Sequence, residues 1–216
     1  MERQGLFIAL EGIDGCGKTA NSQELCEWLN ELGYEAFTTH EPTDMAAGNL
    51  AKSHLIMRDV SPHVESLLFA VDRLEHVSKV IFPALKQGKI VICDRYLYSS
   101  LGYQGSTGVE MEWLREINRF SISADLALFL DVDVREAMNR CDSKGLDLNK
   151  FEIDYEFRVR AREIFLGLSR AGELVKIDSG AEFKKVQEDI RNAVKPLLEE
   201  RKATLSKSSQ GTVRSE

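Results

Sequence analysis

Residues 11–20 read EGIDGCGKTA, and Gly12, Gly17, Lys18 and Thr19 within them fit G-x-x-x-x-G-K-[ST]. That spacing belongs to a loop that wraps a phosphate chain, provided a strand precedes it and a helix follows. Both neighbours are legible. GLFIAL (5–10) is a short apolar run of buried-strand length. Lys18 to Gly33 places Leu25, Leu29 and Leu32 at i, i+4, i+7, an amphipathic helix closed by glycine. The chemistry follows from this geometry. Gly12, Gly15 and Gly17 let the chain curl so that backbone N–H groups converge on an anion, and the helix N-terminus adds a positive dipole end. Lys18 can reach the terminal phosphates, and the Thr19 hydroxyl can ligate Mg²⁺.

Working outward, apolar runs alternate with helical patterns. FIAL (7–10), AFTT (36–39), KIVIC (89–93), LALFLDV (126–132) and LVKI (174–177) read as strands. Helical patterns fill 17–32, 62–86, 110–120, 134–140, 154–170 and 182–200. Short apolar strands separated by helices predict an α/β fold of three layers, a five-stranded parallel sheet flanked by helices. Right-handed crossovers then bring every strand's C-terminal end to one edge, where ligands bind. The phosphate loop, His40-Glu41-Pro42, Asp94-Arg95-Tyr96 and Asp131 all fall at such ends. Asp94 can orient Mg²⁺ or its water shell, and Arg95 beside it carries the planar fork that grips a phosphate in two places. One domain over residues 1–200 is expected. KATLSKSSQGTVRSE after Arg201 shows no periodicity and few large apolar residues, so 201–216 is expected to be an unstructured tail.

Composition sets outer bounds. The 216 residues suit one domain with a sizeable core, and a net charge of −7 argues against a nucleic-acid surface. Four cysteines, Cys16, Cys26, Cys93 and Cys141, are far apart and suggest neither zinc nor a disulfide framework. Cys93 ends an apolar run and reads as core. Cys16 lies inside the loop, a small filler whose thiol the helix N-terminus could also make more acidic. MERQ leads straight into the first strand, so no signal peptide is expected, and no apolar run approaches membrane length. The expected location is the cytoplasm, with neither nucleic acid nor membrane as partner.

EGIDGCGKT, LLFAVDR (67–73), DRYLYSSLGYQG (94–105) and RVRAREIF (158–165) appear in the order and spacing of the thymidylate kinase family, which the chain resembles over roughly residues 5–195. The second and third of these are far more specific than a phosphate loop. The resemblance implies transfer of the γ-phosphoryl of ATP to dTMP, giving dTDP, with Mg²⁺, in a symmetric homodimer. It implies that Gly12, Ile13, Asp14, Gly15, Cys16, Gly17, Lys18 and Thr19 bind ATP and that Thr19 and Asp94 serve the metal. Asp14 is implied as acceptor of the deoxyribose 3′-OH, Phe69 as a stacking face for thymine, and Arg73 as donor to a thymine carbonyl, with Ser100 beside it. The resemblance further implies Tyr103 under the sugar, crowding out a 2′-OH, Gln104 in the same wall, and Arg95 on the dTMP phosphate. Glu41, Lys52 and Ser99 complete the implied acceptor site. The loop from Asp14 to Gly17 holds no arginine, so catalytic cations are implied from a lid at about 141–153 and its flanks. Arg140, Lys144, Lys150, Arg158 and Arg160 are the candidates.

The sequence departs from the family pattern at His40, Lys52, Lys144 and Lys150, where arginine is usual. Charge can be kept at each, but the planar fork is not. Alternative readings are a nucleoside-monophosphate kinase with altered base preference and a weakly active or non-catalytic nucleotide-binding paralogue. A GTPase-like switch is discounted, because its nearest motif, Asn149-Lys150-Phe151-Glu152, sits in the lid.

Overall fold

The computed structural model describes residues 4–57, 60–142 and 155–211, the side chains of 142 and 204–211 aside. Its strands are β1 (Leu6–Glu11), β2 (Ala36–His40), β3 (Ile90–Asp94), β4 (Leu126–Asp131) and β5 (Val175–Asp178). They form one five-stranded sheet in the order β2-β3-β1-β4-β5, every pair parallel. β1 is buried along its whole length because β3 and β4 flank it and helices cover both faces. The edge strand β2 has no fully buried residue and mixes partly buried with exposed ones.

The helices are α1 (Lys18–Glu31), α2 (Ala46–Leu55), α3 (Pro62–His76), α4 (Phe82–Lys86), α5 (Leu97–Gly105), α6 (Met111–Ile117), α7 (Val134–Asp142), α8 (Tyr155–Arg170) and α9 (Phe183–Gly211). The connection from β1 runs first to β2 and β3 on one side and later to β4 and β5 on the other. The order therefore reverses at β1, and the crevice opens at its C-terminal end, where the phosphate loop begins. Gly15 shows why the loop needs glycine. Its φ is +86°, and a Cβ there would stand 2.1 Å from the Ala137 carbonyl oxygen of α7.

Four expectations need correction. The helical pattern 62–86 is α3, a π-helical turn over Val77–Ile81, and α4; the turn lies just ahead of Pro83, whose nitrogen has no hydrogen for the ladder. Leu32 lies past the end of α1 and is exposed, so the buried face rests on Leu25 and Leu29. The sequence predicted no helix at α2 or α5. Both are short, and α5 carries glycines; Gly102 is there because α8 packs so closely that a Cβ would meet the Phe165 ring at 2.6 Å. Finally, α9 runs on to Gly211, so residues 202–211 are helical rather than an unstructured tail. That stretch holds neither proline nor glycine before Gly211, and Lys202 lies 5.6 Å from the centre of the Tyr34 ring. Residues 212–216 lie outside the described residues, as do 143–153 of the expected lid.

Candidate active site

The phosphate loop leaves β1 at Gly12 and enters α1 at Lys18. The Lys18 ammonium is turned into the loop, donating to the carbonyl oxygens of Gly12 at 2.9 Å and Ile13 at 3.0 Å. Beside it the Thr19 hydroxyl donates to Asp94 Oδ2 at 2.6 Å. A cavity of about 170 Å³ opens here, lined by Asp14, Gly15, Gly17, Lys18, Thr19, Asp94, Arg95 and Arg140 among others. Arg140 is held at its rim by Glu136 at 2.5 Å and by the Ser179 carbonyl at 3.0 Å. Ser179 in turn donates its hydroxyl to the Cys16 carbonyl at 2.8 Å, so the end of β5 braces the loop. Burial pushes the Cys16 thiol up, and the neighbouring Lys18 only offsets this. The acidic thiol that a helix N-terminus could produce is therefore absent, and Cys16 is packing.

Arg95 begins the second half of the site. Its φ of 69° is left-handed, a costly conformation for a residue with a Cβ. The bend is held by Arg95 N–H donating to the Leu10 carbonyl at 2.9 Å and by Cys93 Sγ–H donating to the Arg95 carbonyl at 3.0 Å. It aims the guanidinium at Asp14 Oδ1, to which it donates. The Tyr103 hydroxyl donates to the other oxygen, Oδ2, at 3.1 Å, and Arg95 lies over the Tyr103 ring. Burial raises the Asp14 carboxyl, but Arg95, Lys18, Tyr103 and Arg158 outweigh it and hold the carboxyl below its ordinary value. Burial keeps the Tyr103 phenol well above its ordinary value, hence a neutral donor. Arg158 reaches the Asp14 carbonyl from α8 at 3.2 Å, whereas Arg160 turns to the Ser106 carbonyl at 3.4 Å.

A second cavity of about 260 Å³ lies beyond Asp14 and Arg95. It is lined by Glu41, Phe69, Arg73, Ser99, Ser100, Tyr103 and Gln104, with Pro42, Leu55 and Tyr96. Arg73 is almost wholly buried and heavily engaged. Its Nε donates to Glu41 Oε2 at 2.9 Å, Nη1 to Asn118 Oδ1 at 2.6 Å, and Nη2 to the Tyr96 carbonyl at 2.9 Å and Ser100 Oγ at 3.1 Å. Glu41 is also 3.1 Å from His76 Nδ1, and His76 Nε2 is 2.7 Å from the Thr39 hydroxyl. Glu41, His76 and Cys93 bring possible metal ligands within 4.8 Å of one another. All three already have hydrogen-bond partners: His76 and Glu41 form a buried polar chain that seats Arg73, and Cys93 holds the Arg95 bend.

Most of the residues singled out in the sequence line one of the two cavities, and some do not. Lys52 is not among the lining residues; it pairs with Asp44 at 2.5 Å on the exposed side of α2. His40 likewise turns outward, to the Pro42 carbonyl at 2.9 Å and Asp44 at 3.5 Å. Asp131 is taken up by Arg162 at 2.7 Å and Lys176 at 3.5 Å. Lys144 and Lys150 lie outside the described residues. The residues missed are Glu11 and Asn118. Glu11 ends β1 and is fully buried. Its Oε1 accepts from the Tyr96 and Tyr98 N–H groups at 3.0 Å each, and its Oε2 from the Ser99 hydroxyl at 2.6 Å. It thereby caps the start of α5 from the root of the phosphate loop. Burial pushes its carboxyl up to about 6, with the Ser99 hydrogen bond and then Arg73, Arg95 and Lys18 limiting the rise. An acid closing the apolar run LFIALE was the signal available for it.

A phosphate loop at the switch point of a parallel sheet, facing a second cavity across Asp14 and Arg95, defines a phosphate-loop phosphotransferase. The family model described as Thymidylate kinase matches residues 10–190. The chain is 42% identical over 202 residues to a protein of Pyrococcus abyssi named "Probable thymidylate kinase", covering 90% of this chain and 98% of that one. Proteins of the same name from Pyrococcus horikoshii and Staphylothermus marinus are 41% and 40% identical, over 90% and 89% of this chain and 98% and 96% of theirs. The chain belongs to the thymidylate kinase family.

Proposed function

We propose that this protein transfers the γ-phosphoryl group of ATP to the phosphate of dTMP, yielding dTDP and ADP. The observation that carries the reading is the pair of adjoining cavities that share Asp14 and Arg95. A phosphate chain on the loop and a monophosphate in the second cavity would meet there. An oxygen of the acceptor phosphate attacks the γ-phosphorus, and the bond to the ADP oxygen breaks. The task of the protein is positioning and charge stabilisation.

Lys18 gives up its carbonyl partners for the β- and γ-phosphates. Arg95 leaves Asp14 for the acceptor phosphate, which frees Asp14 to accept from the sugar 3′-OH. Phe69 stacks on the base, Arg73 and Ser100 meet its edge, and Tyr103 and Gln104 wall the sugar, with Glu41 and Ser99 supporting them. The Thr19 hydroxyl and the Asp94 carboxylate are adjacent hard oxygen donors, the kind Mg²⁺ takes while keeping several waters. Bound there, Mg²⁺ would neutralise phosphate charge. Lys144 and Lys150, with Arg140, remain the proposed cations over the moving group.

The reading extends to a homodimer. Leu50 of α2 and Val64, Leu67 and Val71 of α3 are each about half exposed, an unpartnered apolar stripe along two packed helices. Val71→Lys should convert a sedimenting dimer to monomer. Among the described residues no helix is long and apolar enough to cross a membrane, and a cytoplasmic enzyme acting on small molecules is the proposal.

The deciding assay is ATP–Mg²⁺ with a panel of nucleoside monophosphates. The expected result is fastest turnover of dTMP. Preference for another base would replace the acceptor assignment, and ATP binding without turnover on any acceptor would replace the enzymatic one.

A further inference from the structure

We infer that Asn118, at the C-terminal end of α6 and outside every motif, is a positioning residue that sets which way Arg73 presents its last free N–H to the base. The inference rests on the assignment of Arg73 to the base edge.

A guanidinium has five N–H donors in one plane. Four hydrogen bonds of Arg73 go to protein: Nε to Glu41, Nη1 to Asn118, and Nη2 to the Tyr96 carbonyl and Ser100. Glu41 also stands 2.9 Å from Nη2, on the same side as Nε. One N–H, on Nη1, has no protein acceptor among the described residues. Arg73 lines the acceptor cavity, so that N–H is the donor left for a ligand. Asn118 binds the same nitrogen. Glu41 fixes one edge of the guanidinium plane and Asn118 the opposite one, so together they determine its rotation. Asn118 cannot swing away, because its Nδ2 donates to the Leu114 carbonyl at 2.8 Å, which leaves Oδ1 facing Arg73. Both side chains are buried, at 3% and 1% exposure, so leaving a donor between them unpaired is costly.

The consequence is base discrimination. A fixed donor satisfies a carbonyl on the base edge and opposes the amino group that cytosine carries in place of one carbonyl of thymine. Without Asn118 the guanidinium gains freedom, and Nη1 has two unpaired hydrogens instead of one.

The test compares dTMP and dCMP as acceptors with saturating ATP–Mg²⁺, for Asn118→Ala, Asn118→Asp, Arg73→Ala and the Arg73→Ala/Asn118→Ala pair. Asn118→Ala is expected to raise the KM for dTMP about tenfold. It should narrow the dTMP-over-dCMP preference by a similar factor, with the KM for ATP unchanged. Asn118→Asp keeps an acceptor for Nη1 but loses the donor to the Leu114 carbonyl, so it should keep more of the wild-type preference than Asn118→Ala does, which a merely structural role at the end of α6 would not predict. The pair should match Arg73→Ala alone. If alanine does not fold, Asn118→Leu, close in volume and unable to accept, is read in its place, and the Asp variant still carries the comparison. If Asn118→Ala keeps the full preference while Arg73→Ala loses it, Asn118 has no such role and the reading of Arg73 survives. If Arg73→Ala keeps the preference, the base-edge assignment itself falls, and this inference with it. Additive losses in the pair also overturn the inference.

Discussion

The two cavities share Asp14 and Arg95 but are built in opposite ways. The loop side comes mostly from one continuous run, Gly12 to Thr19, whose glycines and helix start supply backbone donors and a single lysine. The acceptor side draws on the end of β2, the middle of α3, the bend after β3, and α5, with Asn118 of α6 behind. A phosphate is a compact anion, and successive N–H groups of one curled segment can hold it. A base and a sugar must be told from near relatives, which takes buried side-chain donors fixed by partners from elsewhere in the chain. The difference teaches that the loop side is modular, while the acceptor side depends on the whole sheet edge.

Lys18 gives the largest expected effect, because it is the cation carried by the phosphate loop itself. Lys18→Ala should lower turnover by roughly 10²–10³-fold, as loss of a pre-placed transition-state donor does, in a protein with unchanged circular dichroism. Near-native turnover would mean that the backbone alone suffices there.

Arg95 tests the shared wall. Arg95→Ala should raise the KM for dTMP by about tenfold or more, the worth of a charge-assisted hydrogen bond, while direct ATP binding changes little. Equal damage to both substrates would dissolve the distinction between the cavities.

Glu11 sharpens the comparison by joining the two sides. Its folded-state pKa of about 6 lies above the ordinary 4.5. Between those values the folded protein holds the proton that the unfolded chain has released, so the contribution of Glu11 to stability is greatest below about 4.5 and is lost as pH rises through about 6. The span is worth about 2 kcal/mol. Glu11→Gln should flatten that part of the profile in urea titrations run from pH 4.5 to 7. It should also loosen α5, raising the KM for dTMP more than that for ATP. An unaltered pH profile would place the titration elsewhere.

The smallest effect belongs to the end of α9. Removing residues 202–216 deletes the Lys202 contact with Tyr34, a loss of about 1 kcal/mol, or roughly 2–4 °C in Tm. Turnover should not change. A larger fall would show that the helical extension packs on the domain more than Lys202 alone does.

Much of this was legible beforehand, and unevenly. All five strands were read within a residue or so, since buried parallel strands are continuous apolar runs. α5 was missed because its glycines look like loop until Phe165 is seen against Gly102. Lys52 was expected to face the acceptor phosphate because the resemblance places an arginine there, and His40 was noted as standing where arginine is usual. The fold instead gives them Asp44, and a long exposed side chain goes to its nearest counter-charge.

By itself the sequence determined the phosphate loop, the parallel sheet and the strand ends where a site would form. These rest on local patterns: glycines at a turn, apolar runs of strand length, periodic faces on helices. Only the tertiary structure decided which side chains meet. Glu11 reaches residues about 85 positions away, and Asn118 reaches Arg73 across 45. Those pairings are hydrogen bonds between elements that the sheet order brings together. No local spacing encodes them, because the directions of buried donors exist only once the layers have packed.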